Sequence, residues 1–285
     1  MTPPAGFHAQ LMRHWAAGRL ACVGLDPDPS RIPEHLTGDP ARRVETFCRE
    51  IVEATGDIAA SFKLNSAFFE PLGAEGATLV EGLIHHIKST VPEAVVILDA
   101  KRGDIGNTNR YYAEAVFDRA GADVVTVHPY MGRASLRPFL DRGDKGVIVM
   151  GANSADGAGE FQDLLLAGSG LSLYEHVCRA VATGWNELGN CAVTAGATEP
   201  AKLARIRAVV GEMPILLLGL GAQGGDLPAC LRAGRAQETF GLIPSSSRAI
   251  LYASPDRDFA EAARRAAKEF TARLAEPLED ADMRP

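Results

Sequence analysis

Short apolar runs alternate along this chain with longer stretches whose apolar positions recur every three or four residues, the mark of strands alternating with amphipathic helices. Strands are predicted at Leu20–Leu25, Ile58–Asn65, the run opening at Ala94, Asp123–Tyr130, Gly146–Met150, Cys191–Thr198, Pro214–Leu220 and Thr239–Pro244. Helices are predicted at Phe7–Ala17, Asp39–Thr55, through Ile84, Ile87 and Val91, at Asn107–Ala120 with Asn107 or Thr108 as N-cap, and at Ala134–Leu140. Further helices follow at Leu173–Leu188, from Thr198-Glu199-Pro200 onward, and at Pro255–Leu274. Eight strands alternating with helices, with no low-complexity linker, predict an α/β chain folded as a (β/α)8 barrel of TIM type. It is read as one domain over residues 1–275, with a short N-terminal capping helix and a loose charged tail at 276–285. A doubly wound open sheet is the competing architecture, but the first turn, Leu25-Asp26-Pro27-Asp28, has no glycine fingerprint.

The third strand breaks the apolar pattern. Ala94-Val95-Val96-Ile97-Leu98 runs directly into Asp99-Ala100-Lys101-Arg102-Gly103-Asp104-Ile105. Val95, Ile97, Asp99 and Lys101 share one parity, so a carboxylate and an ammonium are expected on the same face at the carboxyl end of the strand. Burying such charges is costly unless they pair with one another or with a ligand. Asp26, Lys63, Ser154, Gln223 and Arg248 also fall at or just beyond strand ends, and a barrel carries its chemistry at that mouth. The glycine-rich turn Gly219–Gly225 and Ser247-Arg248 follow strands seven and eight, the usual phosphate-binding position of such barrels. The long loop Gly151–Gly159 is read as functional or as plain surface, since sequence alone supports both.

Composition narrows the partners. With 285 residues, 46% of them hydrophobic, the chain has ample material for a core, and a formal charge of −7 provides no basic footprint for nucleic acid or anionic lipid. Five scattered cysteines without a CxxC pair point to buried thiols in a reducing compartment, not to a disulfide frame or zinc site. No signal-peptide core and no membrane-length apolar run is present, so a cytoplasmic protein is expected. No metal-ligand cluster or cofactor motif is visible, and none is expected. His85-His86 are read as surface residues, His128 as a hydrogen-bonded structural histidine, and Trp15 and Trp185 as packing residues.

The segment Asp99-Ala-Lys-Arg-Gly-Asp-Ile105, with Gly24-Leu25-Asp26-Pro27-Asp28, Phe62-Lys63-Leu64-Asn65 and Gly219–Asp226 in the same order, resembles the longer bacterial branch of the orotidine 5'-phosphate decarboxylase family. The resemblance spans nearly the whole chain. It implies a carboxy-lyase that converts orotidine 5'-phosphate to UMP and CO2, the last step of de novo pyrimidine nucleotide synthesis, without metal or cofactor. Lys101 would be the acid that protonates carbon 6, Asp99 would face the departing carboxylate, and Lys63 would bridge Asp99 and the ribose. Asp26 would bind ribose hydroxyls, Gln223 and Arg248 the phosphate, and Ile105 would line the space near the leaving CO2. Asp104 and Thr108 would reach a partner subunit's site, which implies a homodimer. The family's pyrimidine loop commonly reads Thr-Ser-Asn-Pro-Gly, whereas this chain has Ala152-Asn153-Ser154-Ala155-Asp156-Gly157. The pyrimidine contact therefore lies with Ser154, by its Ser-x-x-Gly spacing, or with Asn153 one residue earlier.

Two other readings compete. Related barrels that act on sugar phosphates use a similar Asp-x-Lys-x-x-Asp arrangement with a metal, but they carry an acidic residue where this chain has Lys63, and a lysine there repels a divalent cation. A non-catalytic nucleotide-binding barrel would be marked by a broken charge cluster, and here Asp99, Lys101 and Asp104 are all present.

Overall fold

In a computed structural model, which describes residues 6–220 and 225–276, eight parallel strands pair in sequence order and close into a barrel. They are β1 (Cys22–Leu25), β2 (Ser61–Asn65), β3 (Val95–Arg102), β4 (Val124–Val127), β5 (Gly146–Val149), β6 (Cys191–Gly196), β7 (Ile215–Leu218) and β8 (Leu242–Ser246). Closure is made by β1 against β8, with Cys22 opposite Ser245 and Val23 opposite Ser246. The helices are α1 (Phe7–Ala16), α2 (Pro40–Thr55), α3 (Ala74–Thr90), α4 (Gly106–Ala113), α5 (Gly132–Leu140), α6 (Gly159–Gln162), α7 (Leu173–Ala180), α8 (Pro200–Val210), α9 (Leu227–Gly234), α10 (Arg248–Leu251) and α11 (Phe259–Ala275).

Strand parity divides the core in two. Val95 and Ile97 of β3 point into the barrel and pack with Cys22, Val124, Ile148, Ala192, Leu216 and Ile243. Val96 and Leu98, of opposite parity, join the larger apolar layer between strands and helices. Phe7 and Leu11 of α1 belong to the inner cluster and close the amino end of the barrel. Removing side chains of this size from water stabilises the fold by about 1.5–3 kcal/mol each. All five cysteines are free and buried.

Several boundaries differ from the sequence reading. Ile58 and Ala59 do not open β2; their N–H groups bond to Thr55 O, in the turn that ends α2. The helices expected at Asn107–Ala120 and Leu173–Leu188 instead pass into wider π-helical turns, at Glu114–Arg119 and Val181–Trp185. Helix α4 starts at Gly106, with Ile105 at its N-cap and no side-chain cap, so neither Asn107 nor Thr108 caps it. Strand β8 lies later than expected and runs through Pro244, because pairing with β1 begins only at Ser245, beyond the residue that lacks an N–H. His86 is not a surface residue: its Nδ1 lies 3.1 Å from Arg49 Nη1 and its Nε2 3.4 Å from Glu53 of α2. The tail beyond Glu276 lies outside the described residues. Among the described residues no helix is long and apolar enough to cross a membrane.

Candidate active site

The carboxyl ends of β1, β2 and β3 place three charged groups in line, Asp26, Lys63 and Asp99, and Lys101 completes the row. Lys63 Nζ sits 3.4 Å from Asp26 Oδ1 and 3.6 Å from Asp99 Oδ2, while Lys101 Nζ sits 2.8 Å from Asp99 Oδ1. The side chains of Lys63 and Asp99 are each only 4% exposed, whereas that of Lys101 is 36% exposed. Two ammonium groups thus alternate with two carboxylates, and the inner members are sealed while Lys101 faces the opening. Burial by itself would lower the Lys63 pKa, but Asp26 and Asp99 outweigh it and hold the pKa above its ordinary value. Burial would raise that of Asp99, and Lys63, Lys101 and hydrogen bonds from Lys101 and Thr126 together drive it below the usual carboxylate range. Lys63 and Asp99 therefore each favour the charged form in the other's presence.

Local sequence makes this geometry possible. Gly24 is needed because a Cβ there would stand 1.9 Å from Ser247 Oγ, and Ser247 Oγ donates to Asp26 Oδ2 at 2.6 Å. Lys101 has a positive φ of 46°, the one non-glycine residue among those described with a left-handed backbone. The simple alternation expected through Lys101 therefore stops at Asp99, and Lys101 reaches back to the carboxylate from a strand irregularity. Thr126 of β4, which sequence reasoning did not single out, donates its hydroxyl to Asp99 Oδ1 at 2.8 Å. A β-branched residue in a strand reads as filler, yet Thr126 shares the inward parity of Val124, and that alternation is the signal that could have found it.

These groups line a cavity of about 470 Å³ that extends from Lys101 and Asp99 to Gly219, Arg248 and Tyr252. A second guanidinium, Arg31, lines the same cavity, stacked 3.9 Å from the centroid of the Tyr252 ring. Tyr252 Oη in turn accepts the N–H of Asp28 at 2.6 Å, which ties the β1 end to the segment after β8. Sequence reasoning missed Arg31 and Tyr252, since neither stands at a strand end. Gln223 lies outside the described residues.

The other expected site residues occupy a different part of the mouth. Asp104 makes no ion pair with Lys101; its Oδ1 accepts the N–H of Ile105 at 2.6 Å, and its main chain is clamped by Asn109. The Asn109 amide is fully buried and bonds both Asp104 O and Ser135 O. Ile105, 55% exposed, and the half-buried Thr108 stand on the outer rim. Ser154 and Asn153 lie in the loop after β5, whose base is stapled to β6: Thr194 Oγ1 accepts from Gly151 N and donates to Ala152 O. Gly196 of β6 faces Ser154 so closely that a Cβ would lie 2.8 Å from it. Asn153 has its own role in that loop, its Oδ1 accepting the N–H of Ala155 at 2.9 Å. His128 stands at the mouth, its main-chain N–H bonded to Arg102 O at 2.7 Å, and partial desolvation of its ring followed by the nearby Lys101 lowers its pKa.

Residues 20–265 match the family described as Orotidine 5'-phosphate decarboxylase / HUMPS. The chain is 51% identical over 262 residues to the orotidine 5'-phosphate decarboxylase of Aromatoleum aromaticum (strain DSM 19018 / LMG 30748 / EbN1), covering 92% of this chain and 95% of that protein. It is 52% identical over 248 residues to the enzyme of the same name from Azoarcus sp. (strain BH72), covering 87% and 90%. Among solved structures it resembles Leishmania donovani OMP decarboxylase, with a TM-score of 0.81, 33% identity, and coverage of 96% of this chain and 100% of the other. It also resembles Leishmania donovani UMP synthase at a TM-score of 0.82 and 35% identity, where it spans 94% of its own length but 56% of that longer chain. A match that runs from β1 into α11 and includes every strand bearing the charged row leaves one conclusion: the chain belongs to the orotidine 5'-phosphate decarboxylase / HUMPS family.

Proposed function

We propose that this protein decarboxylates orotidine 5'-phosphate to UMP and CO2, the last step of pyrimidine nucleotide synthesis, with no metal or organic cofactor. The observation that carries the reading is the alternating row Asp26–Lys63–Asp99–Lys101 lining one cavity together with Arg248. Loss of CO2 from the pyrimidine leaves an electron pair in an sp2 orbital at carbon 6, where the ring delocalises it poorly. Enzymes lower barriers by roughly 8–23 kcal/mol, and this reaction asks for the upper part of that range. An ammonium held against the reacting carbon stabilises the developing carbanion and then protonates it. Lys101 suits that task because it is the partly exposed ammonium of the row and is oriented by Asp99.

In this mechanism Asp99 faces the departing carboxylate, and Lys63 holds Asp99 and the ribose while Asp26 binds ribose hydroxyls. Arg248, with Gln223 by resemblance to the family, grips the phosphate, and binding energy from that distant group offsets the placement of like charges at carbon 6. Ser154 or Asn153 contacts the pyrimidine. Lys63 also argues against a metal-dependent sugar-phosphate chemistry, since its ammonium stands between the two carboxylates that a divalent cation would seek.

A homodimer with shared sites belongs to the same proposal. Ile105 and Tyr111 on and beside α4, and Tyr130 and Met131 just before α5, are large apolar side chains left exposed, Tyr130 at 95%. Such a patch suits a second copy, and Asp104, Ile105 and Thr108 on that rim would then enter the partner's site. Cytoplasmic action is supported by the five unpaired thiols.

The test is the ultraviolet change when chelator-treated protein meets orotidine 5'-phosphate, with UMP and CO2 identified as products. Rapid conversion is expected; binding without conversion would overturn the enzymatic reading. Mixing Lys101→Ala with Asp104→Ala subunits should restore part of the activity in mixed dimers, and no recovery would count against shared sites.

A further inference from the structure

We propose that Thr126 is a positioning residue for this reaction: its single hydroxyl locks the bulge in β3 and thereby aims Lys101 at Asp99. The inference rests on the decarboxylase reading and adds to it a residue outside the charged row. Strand pairing shows where the lock acts. Leu98 stands opposite Val125 and Arg102 opposite Val127, so three residues of β3, Asp99 to Lys101, face Thr126 alone. A strand carrying such an excess must find other partners for its main chain. Lys101 N–H finds Thr126 Oγ1 at 2.9 Å, and Lys101 itself takes the left-handed conformation that costs a non-glycine residue free energy.

The direction of each hydrogen bond follows from the atoms. A backbone N–H only donates, so Thr126 Oγ1 accepts from Lys101, and its own proton is left for Asp99 Oδ1 at 2.8 Å. The hydroxyl is fully buried, so no water competes for either bond. Asp99 Oδ1 thus receives both Thr126 Oγ1 and Lys101 Nζ, while Oδ2 faces Lys63. One side chain fixes the main chain and the counter-charge of the same lysine.

Thr126→Val keeps the shape and removes both bonds, leaving Lys101 N–H without its partner; Thr126→Ser keeps the hydroxyl. In Thr126→Val, kcat for orotidine 5'-phosphate should fall about 10–100-fold, the range set by losing such buried bonds, while the dissociation constant for UMP stays close to wild type. Thr126→Ser should restore most of kcat. A readout independent of turnover is the carboxyl 13C titration of Asp99, which should move to higher pH in Thr126→Val. The charged groups around Asp99 that the comparison holds constant are Lys63 from β2, Lys101 from β3, Asp26 beyond β1 and His128 beyond β4. If Thr126→Val does not fold, Thr126→Ala reads the same loss. Wild-type kcat in the variant lacking the hydroxyl, an unmoved Asp99 titration, or a Thr126→Ser variant as slow as Thr126→Val would each overturn the inference. Inactivity of the wild-type protein would instead sink the decarboxylase reading, and the Asp99 titration would still decide whether Thr126 holds the carboxylate.

Discussion

The two ends of the barrel are built from the same strands and obey the same inward parity, yet they do opposite work. At the amino end Val95 and Ile97 meet Phe7 and Leu11 of α1 in a dry, closed apolar plug. Two residues farther along β3 the inward position is Asp99, and there the barrel is open to a cavity lined by charges. Apolar groups need only fit and exclude water, so that end contributes stability. Charged groups must instead be paired among themselves, and the row Asp26–Lys63–Asp99–Lys101 does so with its last member facing the cavity. On the proposed mechanism, stability and reactivity are thus separated along one strand.

The sharpest way to break this separation is Lys101→Ala. Turnover should drop by about 10²–10⁴-fold, the range for loss of a positioned acid, while UMP still binds by titration calorimetry. Near-normal turnover would remove Lys101 as the proton donor. The mirror experiment at the closed end, Phe7→Ala, should cost about 3–5 kcal/mol in denaturant unfolding and leave kcat of the folded protein unchanged. A fall in kcat with no loss of stability would dissolve the division of labour. Arg248→Ala should raise KM about 10–100-fold through loss of a charge-assisted bond to phosphate, and truncated substrate lacking the phosphate should be insensitive to it.

The smallest effect is expected from pH near neutrality. Asp99 has its pKa depressed by folding, so its stabilising contribution is present above the ordinary aspartate value of about 3.9 and is lost as pH falls through the lower folded value. Lys63 has its pKa raised, so its contribution is complete below about 10.4 and is lost as pH climbs through the higher folded value. Unfolding free energy contributed by this pair should therefore be flat across neutrality and decline at both extremes. In Asp99→Asn the acid-side decline should lessen; an unchanged profile would show that the row does not govern it.

Much of this was legible without coordinates. The inward run Val95, Ile97, Asp99 follows from alternation alone, and the alternation of strands with helices sufficed for the barrel. Once the barrel was drawn, Asp26, Lys63, Asp99 and Arg248 had to converge on one mouth, and their side chains do line one cavity. The same reasoning drew the strand too regularly beyond Asp99. It overlooked Arg31 and Tyr252, which come to the cavity from segments outside the strands, and Asn109, whose buried amide holds Asp104 from a helix five residues away.

The linear order of residues by itself determined the barrel, the inward parity of β3 and the end at which charge gathers, because periodicity is a local property that each segment carries with it. Only the tertiary structure decided that Lys101 sits in a left-handed bulge, that the Thr126 hydroxyl turns toward Asp99, and that Asp104 faces the rim and not Lys101. The first two depend on the register between β3 and β4 and on which donor meets which acceptor across it, partners that lie 25 or more residues apart; the third depends on which of several nearby partners Asp104 takes, a choice that periodicity does not encode.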